Sequence, residues 1–183
     1  MRFNVGVIGL VMLLMIASCS GKRITTTDSF DVVELPDGST IYLNKNSSVR
    51  FDEDFSKRLV HAEGEVYFEV EENGSPFIVS TSIGEIEVTG TAFSVSTREE
   101  SLEVEVEDGS VIIRTDEIEQ AVKAGSRAVV SFGKELVAEG KAEFKSNKWM
   151  RELRREFKKA GKEIGRESKK AAKSLKKELK DLN

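Results

Sequence analysis

Every second residue is apolar in segments 65–70, 85–88 and 102–107, and polar or aromatic residues lie between them. The apolar positions are Val66, Phe68, Val70, Ile86, Val88, Leu102, Val104 and Val106. A period of two sends alternate side chains to opposite faces of a strand. The pattern therefore predicts β-strands with one buried face.

Turn-forming residues separate these runs at short intervals. They include Pro36-Asp37-Gly38, Asn73-Gly74 and Asp108-Gly109. Proline presets one backbone dihedral and glycine accepts a positive one, so such sequences reverse the chain tightly. Many short strands at this spacing predict a mainly β fold, an antiparallel β-sandwich of short strands.

The C-terminal segment 145–183 follows a different period. Its less polar positions recur at steps of 4, 4 and 3 residues: Trp149, Leu153, Phe157, Ala160, Ile164, Ser168, Ala171, Leu175, Leu179 and Leu182. An 11-residue repeat keeps one stripe on the face of a nearly straight helix. We expect a long C-terminal amphipathic α-helix, which Gly161 and Gly165 weaken in its middle.

The N-terminus has the form of an export signal. Arg2 precedes an uncharged apolar run, 5–16, which is shorter than the roughly 20 residues that span a bilayer as a helix. The run ends in Ile16-Ala17-Ser18-Cys19, which resembles the lipobox of bacterial lipoproteins, where the peptidase cuts before the cysteine. We therefore expect a signal peptide over 1–18 and a membrane anchor through a lipid on Cys19.

Cys19 is the only cysteine of the chain. An unpaired thiol is a liability in an oxidising compartment, and lipidation removes it. The alternatives are an uncleaved helix or an ordinary signal with a chance cysteine. Ser20 stands where a sorting aspartate would favour the inner membrane, so resemblance to common lipoprotein sorting favours the outer one. Residues 19–29 are predicted to be a linker after the anchor.

Charge divides the remaining chain into two segments. From Asp28 to Phe144 there are 26 acidic and 10 basic residues, whereas 145–183 holds 15 basic and 6 acidic ones. We expect a β domain over 30–144 and a basic helix over 145–183. The helix suits three surfaces: its own acidic domain, an anionic membrane or cell-wall polymer, or another copy of itself. A solvated spacer is the plain alternative, and export excludes nucleic acid as a partner.

Residue types that carry catalysis are sparse. His61 is the only histidine, and the chain has no phosphate-binding loop, no nucleophile elbow and no spaced cluster for zinc. We expect no enzymatic activity, no metal and no cofactor. Glu103, Glu105 and Glu107 share one strand face, which is either a cation or partner site or, as we favour, a solvated face that discourages edge pairing.

Short motifs follow one another in order between residues 32 and 130. They comprise Leu35, Pro36, Asp37, Gly38 and Ser39, then Leu43 and Asn44, Gly64, Glu65, Tyr67 and Phe68, Pro76 and Phe77, Gly90, Thr91 and Phe93, and finally Gly109. These motifs resemble those of the FecR domain, the periplasmic module of the iron-dicitrate sensor FecR family. Their residue types favour structural roles: the aromatic residues as core anchors, and Gly64 and Gly90 at bulges or close approaches of the backbone.

The resemblance implies a periplasmic binding or sensing module whose partner is another envelope protein. Regulators of this family add a cytoplasmic segment that engages a sigma factor, a membrane span, and often a domain that meets a TonB-dependent receptor. Because this sequence opens on an export signal and ends in a basic segment, we do not expect direct anti-sigma activity. Two hypotheses follow: a partner-binding module of envelope signalling or transport, or a structural lipoprotein whose basic helix contacts membrane, cell wall or another copy.

Overall fold

The computed structural model describes residues 21–131, 136–144, 148–153 and 155. They form fourteen strands and one short helix, α1, over 148–153. The strands are β1 Gly21–Thr25, β2 Asp31–Glu34, β3 Thr40–Leu43, β4 Ser48–Asp52, β5 Leu59–Glu63, β6 Glu65–Glu69, β7 Phe77–Ser80, β8 Glu85–Val88, β9 Ala92–Arg98, β10 Ser101–Asp108, β11 Ser110–Arg114, β12 Glu119–Lys123, β13 Ser126–Ser131 and β14 Leu136–Lys141. The prediction of a mainly β fold is confirmed.

The strands form two seven-stranded sheets. Sheet A has the order β1-β4-β5-β7-β8-β11-β12, and sheet B has the order β14-β13-β10-β9-β6-β3-β2. Each pairing is antiparallel except the parallel one between β5 and β7. The two sheets share one hydrophobic core, and together they make the predicted sandwich.

The alternating apolar residues lie between the two sheets. Val66 and Phe68 of β6 are fully buried there, as are Leu102 and Val104 of β10. One continuous cluster includes them together with Val49, Val60, Val79 and Ile113 of sheet A. The period of two therefore identified the inward face of these strands correctly.

Consecutive strands repeatedly cross from one sheet to the other, and glycine makes one crossing possible. β5 belongs to sheet A and β6 to sheet B, and Gly64 alone separates them. Gly64 has a φ of +84°, and a Cβ on it would lie 2.6 Å from Ser47 Oγ. Only glycine avoids both the left-handed strain and this clash. The predicted close backbone approach at Gly64 is confirmed.

The N-terminal edge of sheet A lies in the segment predicted to be a linker. Residues 21–25 form β1, which pairs with β4 over its whole length. Ile24 packs against the core from this strand. The folded domain thus begins earlier than the boundary at residue 30 expected from sequence, because these residues find a free edge at β4.

Most of the predicted C-terminal helix lies outside the described residues, as do Cys19 and the signal segment. Within the described part, 148–153 are helical, and the long helix over 145–183 stays a prediction. None of the described residues belongs to a helix that could span a membrane.

Candidate functional site

Helix α1 lies on the outer face of sheet B, the side that points away from the core. This face is formed by Glu65, Tyr67, Ser94, Ser96, Glu103 and Glu105 of β6, β9 and β10. Trp149, Met150 and Leu153 of α1 form a second apolar cluster with Tyr67. Phe30, Val32, Tyr42 and Ala92 pack around it. The three α1 residues fall at helical spacing, so one face of the helix is buried against the sheet.

Trp149 is the anchor of this contact. Its ring stacks on Phe30, with ring centroids 6.0 Å apart and an interplanar angle of 12°. Its indole N–H donates a hydrogen bond of 2.7 Å to Glu65 Oε1, and Asn44 Nδ2 donates to the other carboxylate oxygen at 2.7 Å. Glu65 and Asn44, both predicted motif residues, therefore orient the docked helix.

Tyr67 is buried on this outer face, whereas we expected it to anchor the core between the sheets. Its hydroxyl donates to Glu107 Oε2 at 2.8 Å, and its ring lies 5.9 Å from that of Tyr42. Burial raises the pKa of Tyr67 above its ordinary value, and the hydrogen bond to Glu107 raises it further. The expectation was wrong because alternation with Val66 and Phe68 sends Tyr67 outward, where α1 rather than the opposite sheet covers it.

The acidic run of β10 is solvated only at Glu107. Glu105 is only 3% exposed, and its Oε1 accepts a hydrogen bond of 2.9 Å from the backbone N–H of Glu143. Glu103 pairs with Arg127 Nε at 2.6 Å, which raises the pKa of that guanidinium. The favoured interpretation was wrong for these two residues, because Arg127 of the neighbouring strand β13 pairs with Glu103 and the segment after β14 brings the Glu143 N–H to Glu105. Glu107 alone of the three is exposed.

A groove of about 480 Å³ opens beside Trp149. Its lining residues are Asn44, Glu65, Ser94, Ser96, Arg98, Glu103, Glu105, Lys148, Trp149 and Glu152. Hydroxyls and carboxylates form the floor from sheet B, and Lys148 and Glu152 form the wall from α1. Such a mixture suits a polar segment of a protein better than an apolar small molecule.

The Leu35 to Ser39 motif forms a tight turn that holds two distant segments. Gly38 has a φ of +88°, and Asp37 accepts hydrogen bonds from both the backbone N–H and the hydroxyl of Ser39 at 3.0 Å. The Ser39 hydroxyl oxygen in turn accepts the backbone N–H of Glu71 at 3.0 Å. These side chains are satisfied within the fold, so the motif has a structural role here.

Arg58, which sequence reasoning missed, completes that turn. Its Nε lies 2.8 Å from Asp37 Oδ2, and both side chains are less than a tenth exposed. The same guanidinium donates to Asn73 Oδ1 and to the Glu71 carbonyl, both at 2.7 Å, and it lies over the Phe77 ring. A buried arginine with several acceptors joins chain segments that are far apart in sequence.

The remaining motif residues take part in packing and turns. Leu35, Leu43, Phe68, Phe77 and Phe93 are buried in the core, and Pro36 and Pro76 lie exposed at turns. Thr91 donates from its hydroxyl to the Ser110 carbonyl, and Gly90 and Gly109 approach neighbouring backbone closely. His61 lies exposed on the outer face of sheet A. No cluster of three or more potential metal-binding side chains occurs among the described residues.

The family model described as "FecR protein" matches residues 22–112. The chain therefore carries a FecR domain, and the resemblance predicted from its motifs is confirmed. The match begins within β1, in agreement with the early start of sheet A.

Two crystal structures of a candidate anti-sigma factor from Parabacteroides distasonis are similar to this chain, with TM-scores of 0.62 and 0.65 and 27% sequence identity in both cases. They cover 66% and 70% of this chain, and the chain spans 60% and 64% of their lengths. A search of the curated proteins finds no match.

Proposed function

We propose that this protein is a lipid-anchored, non-enzymatic binding or sensing module on the periplasmic side of a bacterial membrane, working in envelope signalling or transport. The FecR domain carries this proposal, because FecR proteins belong to signalling across the envelope. The similarity to a candidate anti-sigma factor supports the same class of function. The partner is another envelope protein.

The outer face of sheet B is the surface that we assign to this partner. The core and turn residues of the FecR motifs are occupied within the fold, so they offer little to a ligand. The groove beside Trp149 combines carboxylates and hydroxyls with the exposed cations Arg98 and Lys148. Polar rims of this kind give an interface its register and specificity.

The lipid anchor is tested by fractionation of cells. Cys19→Ser is expected to leave the membrane fraction as a soluble or unprocessed form, because the thioether cannot form. Mass spectrometry of the wild-type mature protein is expected to show a lipid-modified N-terminal cysteine. We expect this protein in the outer-membrane fraction. A free thiol on Cys19 would refute the anchor.

Binding of a partner is tested by photocrosslinking in intact cells. A photoreactive residue at Arg98, in the groove, is expected to capture one envelope protein of defined mass. The photoreactive residue placed instead at Lys123, on an edge strand of sheet A, serves as the control. It is expected to capture no envelope protein or different ones. Equal products from both positions would remove the assignment to sheet B.

The alternative is a structural lipoprotein, which the positive charge of 145–183 favours. A chain shortened to end at Arg155 lacks the basic residues beyond that position but keeps Trp149, Met150 and Leu153. Comparison with the full chain therefore tests those basic residues while the docked residues of α1 stay in place. If the full chain sediments with purified cell wall, the shortened chain does not, and Arg98 captures no protein, the structural role replaces the signalling one.

A further inference from the structure

A row of polar side chains that begins with two arginines crosses the outer face of sheet A. Arg23 of β1 stands directly opposite Arg50 of β4, and Arg50 stands opposite His61 of β5. His61 in turn stands opposite Ser80 of β7. Because their sequence neighbours Val49, Val60 and Val79 point into the core, these four residues, the Arg23 row, point outward.

The two arginines of the row have no carboxylate partner among the described residues. Side chains directly opposite one another across antiparallel strands have Cβ atoms about 5 Å apart, and like charges in this arrangement repel. By contrast, Arg58, Arg114 and Arg127 each pair with a carboxylate. In a domain with so many acids, two adjacent unpaired arginines indicate that the counter-charge comes from outside.

The pocket at the row has the chemistry of an oxyanion site. It has a volume of about 210 Å³ and is lined by Arg23, Ser48, Arg50, His61, Ala62, Glu63, Ser80, Thr81 and Ser82. Guanidinium groups match the geometry of phosphate oxygens, and serine hydroxyls add donors. Its one carboxylate, Glu63, accepts a hydrogen bond from Ser48 Oγ at 3.2 Å. The volume suits a phosphate group better than a whole metabolite.

The row also lies next to the proposed membrane anchor. Arg23 follows Cys19 by four residues, and β1 begins at Gly21. An extended chain spans at most about 3.6 Å per residue, so the Cα atom of Arg23 lies within about 14 Å of that of Cys19. A lipid on Cys19 would hold this end of sheet A at the level of the phospholipid headgroups.

We propose that the Arg23 row binds the phosphate of an anionic phospholipid in the membrane to which Cys19 is anchored. The phosphate site rests on the described residues of sheet A, and the lipid as its source rests on the proposed anchor. Binding there turns the edge β1-β4 of the sandwich toward the bilayer and leaves the groove beside Trp149 on sheet B accessible to a partner.

The test uses the mature chain with Cys19→Ser and vesicles of equimolar phosphatidylglycerol and phosphatidylcholine. Arginine near an anionic surface contributes about 1 kcal/mol, so the double variant Arg23→Gln/Arg50→Gln is expected to bind about thirtyfold more weakly. Lys57→Gln/Lys123→Gln removes the same charge from exposed positions away from the row and is expected to lose less than about threefold. An equal loss in both variants would overturn the proposal, since it indicates diffuse attraction only.

A second arm separates the lipid from free phosphate. His61 is the only histidine, so its imidazole NMR signal reports on the row without assignment of other residues. The vesicles are expected to shift or broaden it, and inorganic phosphate to shift it weakly. Tight saturation by phosphate without vesicle binding would overturn the lipid as the source. Because these chains carry no lipid on Cys19, failure here leaves the fractionation result for the anchor unaffected.

Discussion

The outer faces of the two sheets follow the same alternating pattern, but they differ in what lies on them. On sheet B, α1 covers the strands, and Glu65, Glu103 and Glu105 receive donors from other segments. On sheet A no described helix covers the strands, and Arg23 and Arg50 stand side by side without an ion pair to any described carboxylate. Polar residues at the outward positions of a strand therefore do not by themselves indicate a solvated face.

The largest expected effect comes from removing the cover of sheet B. Trp149→Ala deletes a buried ring, its stacking on Phe30 and its hydrogen bond to Glu65, so the free energy of unfolding should fall by about 3 kcal/mol. Lys148→Ala, the neighbouring exposed position, is the control and should change stability by less than about 0.5 kcal/mol. Denaturant unfolding measures both, and equal effects would contradict the docking of α1.

Removing Glu65, the hydrogen-bond acceptor beneath Trp149, should have the next largest effect on the free energy of unfolding. Glu65→Ala leaves the Trp149 indole and the Asn44 amide without their acceptor and should cost about 2 kcal/mol. Glu65→Gln keeps one acceptor oxygen and should recover roughly half of that loss. If both variants are as stable as the unsubstituted protein, the Glu65 carboxylate does not hold the helix.

The covered tyrosine should titrate abnormally. In Tyr42→Phe, Tyr67 is the single tyrosine, and its ultraviolet absorbance should show ionisation well above the ordinary pKa of about 10. Since folding raises this pKa, the associated stability is complete below about pH 10 and is lost as the pH rises further. Tyr67→Phe should flatten that loss, and ordinary ionisation of Tyr67 would show that the face is open.

The smallest effect is expected on the uncovered face. Arg50→Gln should leave the free energy of unfolding within about 0.5 kcal/mol or raise it slightly at low salt, because repulsion from Arg23 is relieved. The same substitution at Arg127, whose partner Glu103 is largely buried, should cost about 1 kcal/mol. Equal destabilisation by both variants would contradict the proposed difference between the outer faces of sheets A and B.

Local patterns predicted the strands, but they could not predict what covers them. Val66, Phe68, Leu102 and Val104 were identified because the period of two is a property of the strand itself. Tyr67 follows the same rule, yet its burial depends on α1, which arrives from more than eighty positions along the chain.

The role of Arg58 could not be predicted from the sequence either. Its acceptors, Asp37, Glu71 and Asn73, come together only when two turns meet, and the residue itself lies in a turn with a φ of 46°. Sheet order was inaccessible for a similar reason, since β5 and β7 become neighbours only because β6 crosses to the other sheet. Long-range pairing leaves no local period to detect.

The segment after the sandwich docks on the outer face of sheet B through Trp149. Because Trp149 is the only tryptophan, its fluorescence in the intact chain tests this claim directly. The docked indole should emit at shorter wavelength than free indole and resist quenching by acrylamide until the sandwich unfolds. Emission and quenching like those of free indole in the native protein would contradict the account.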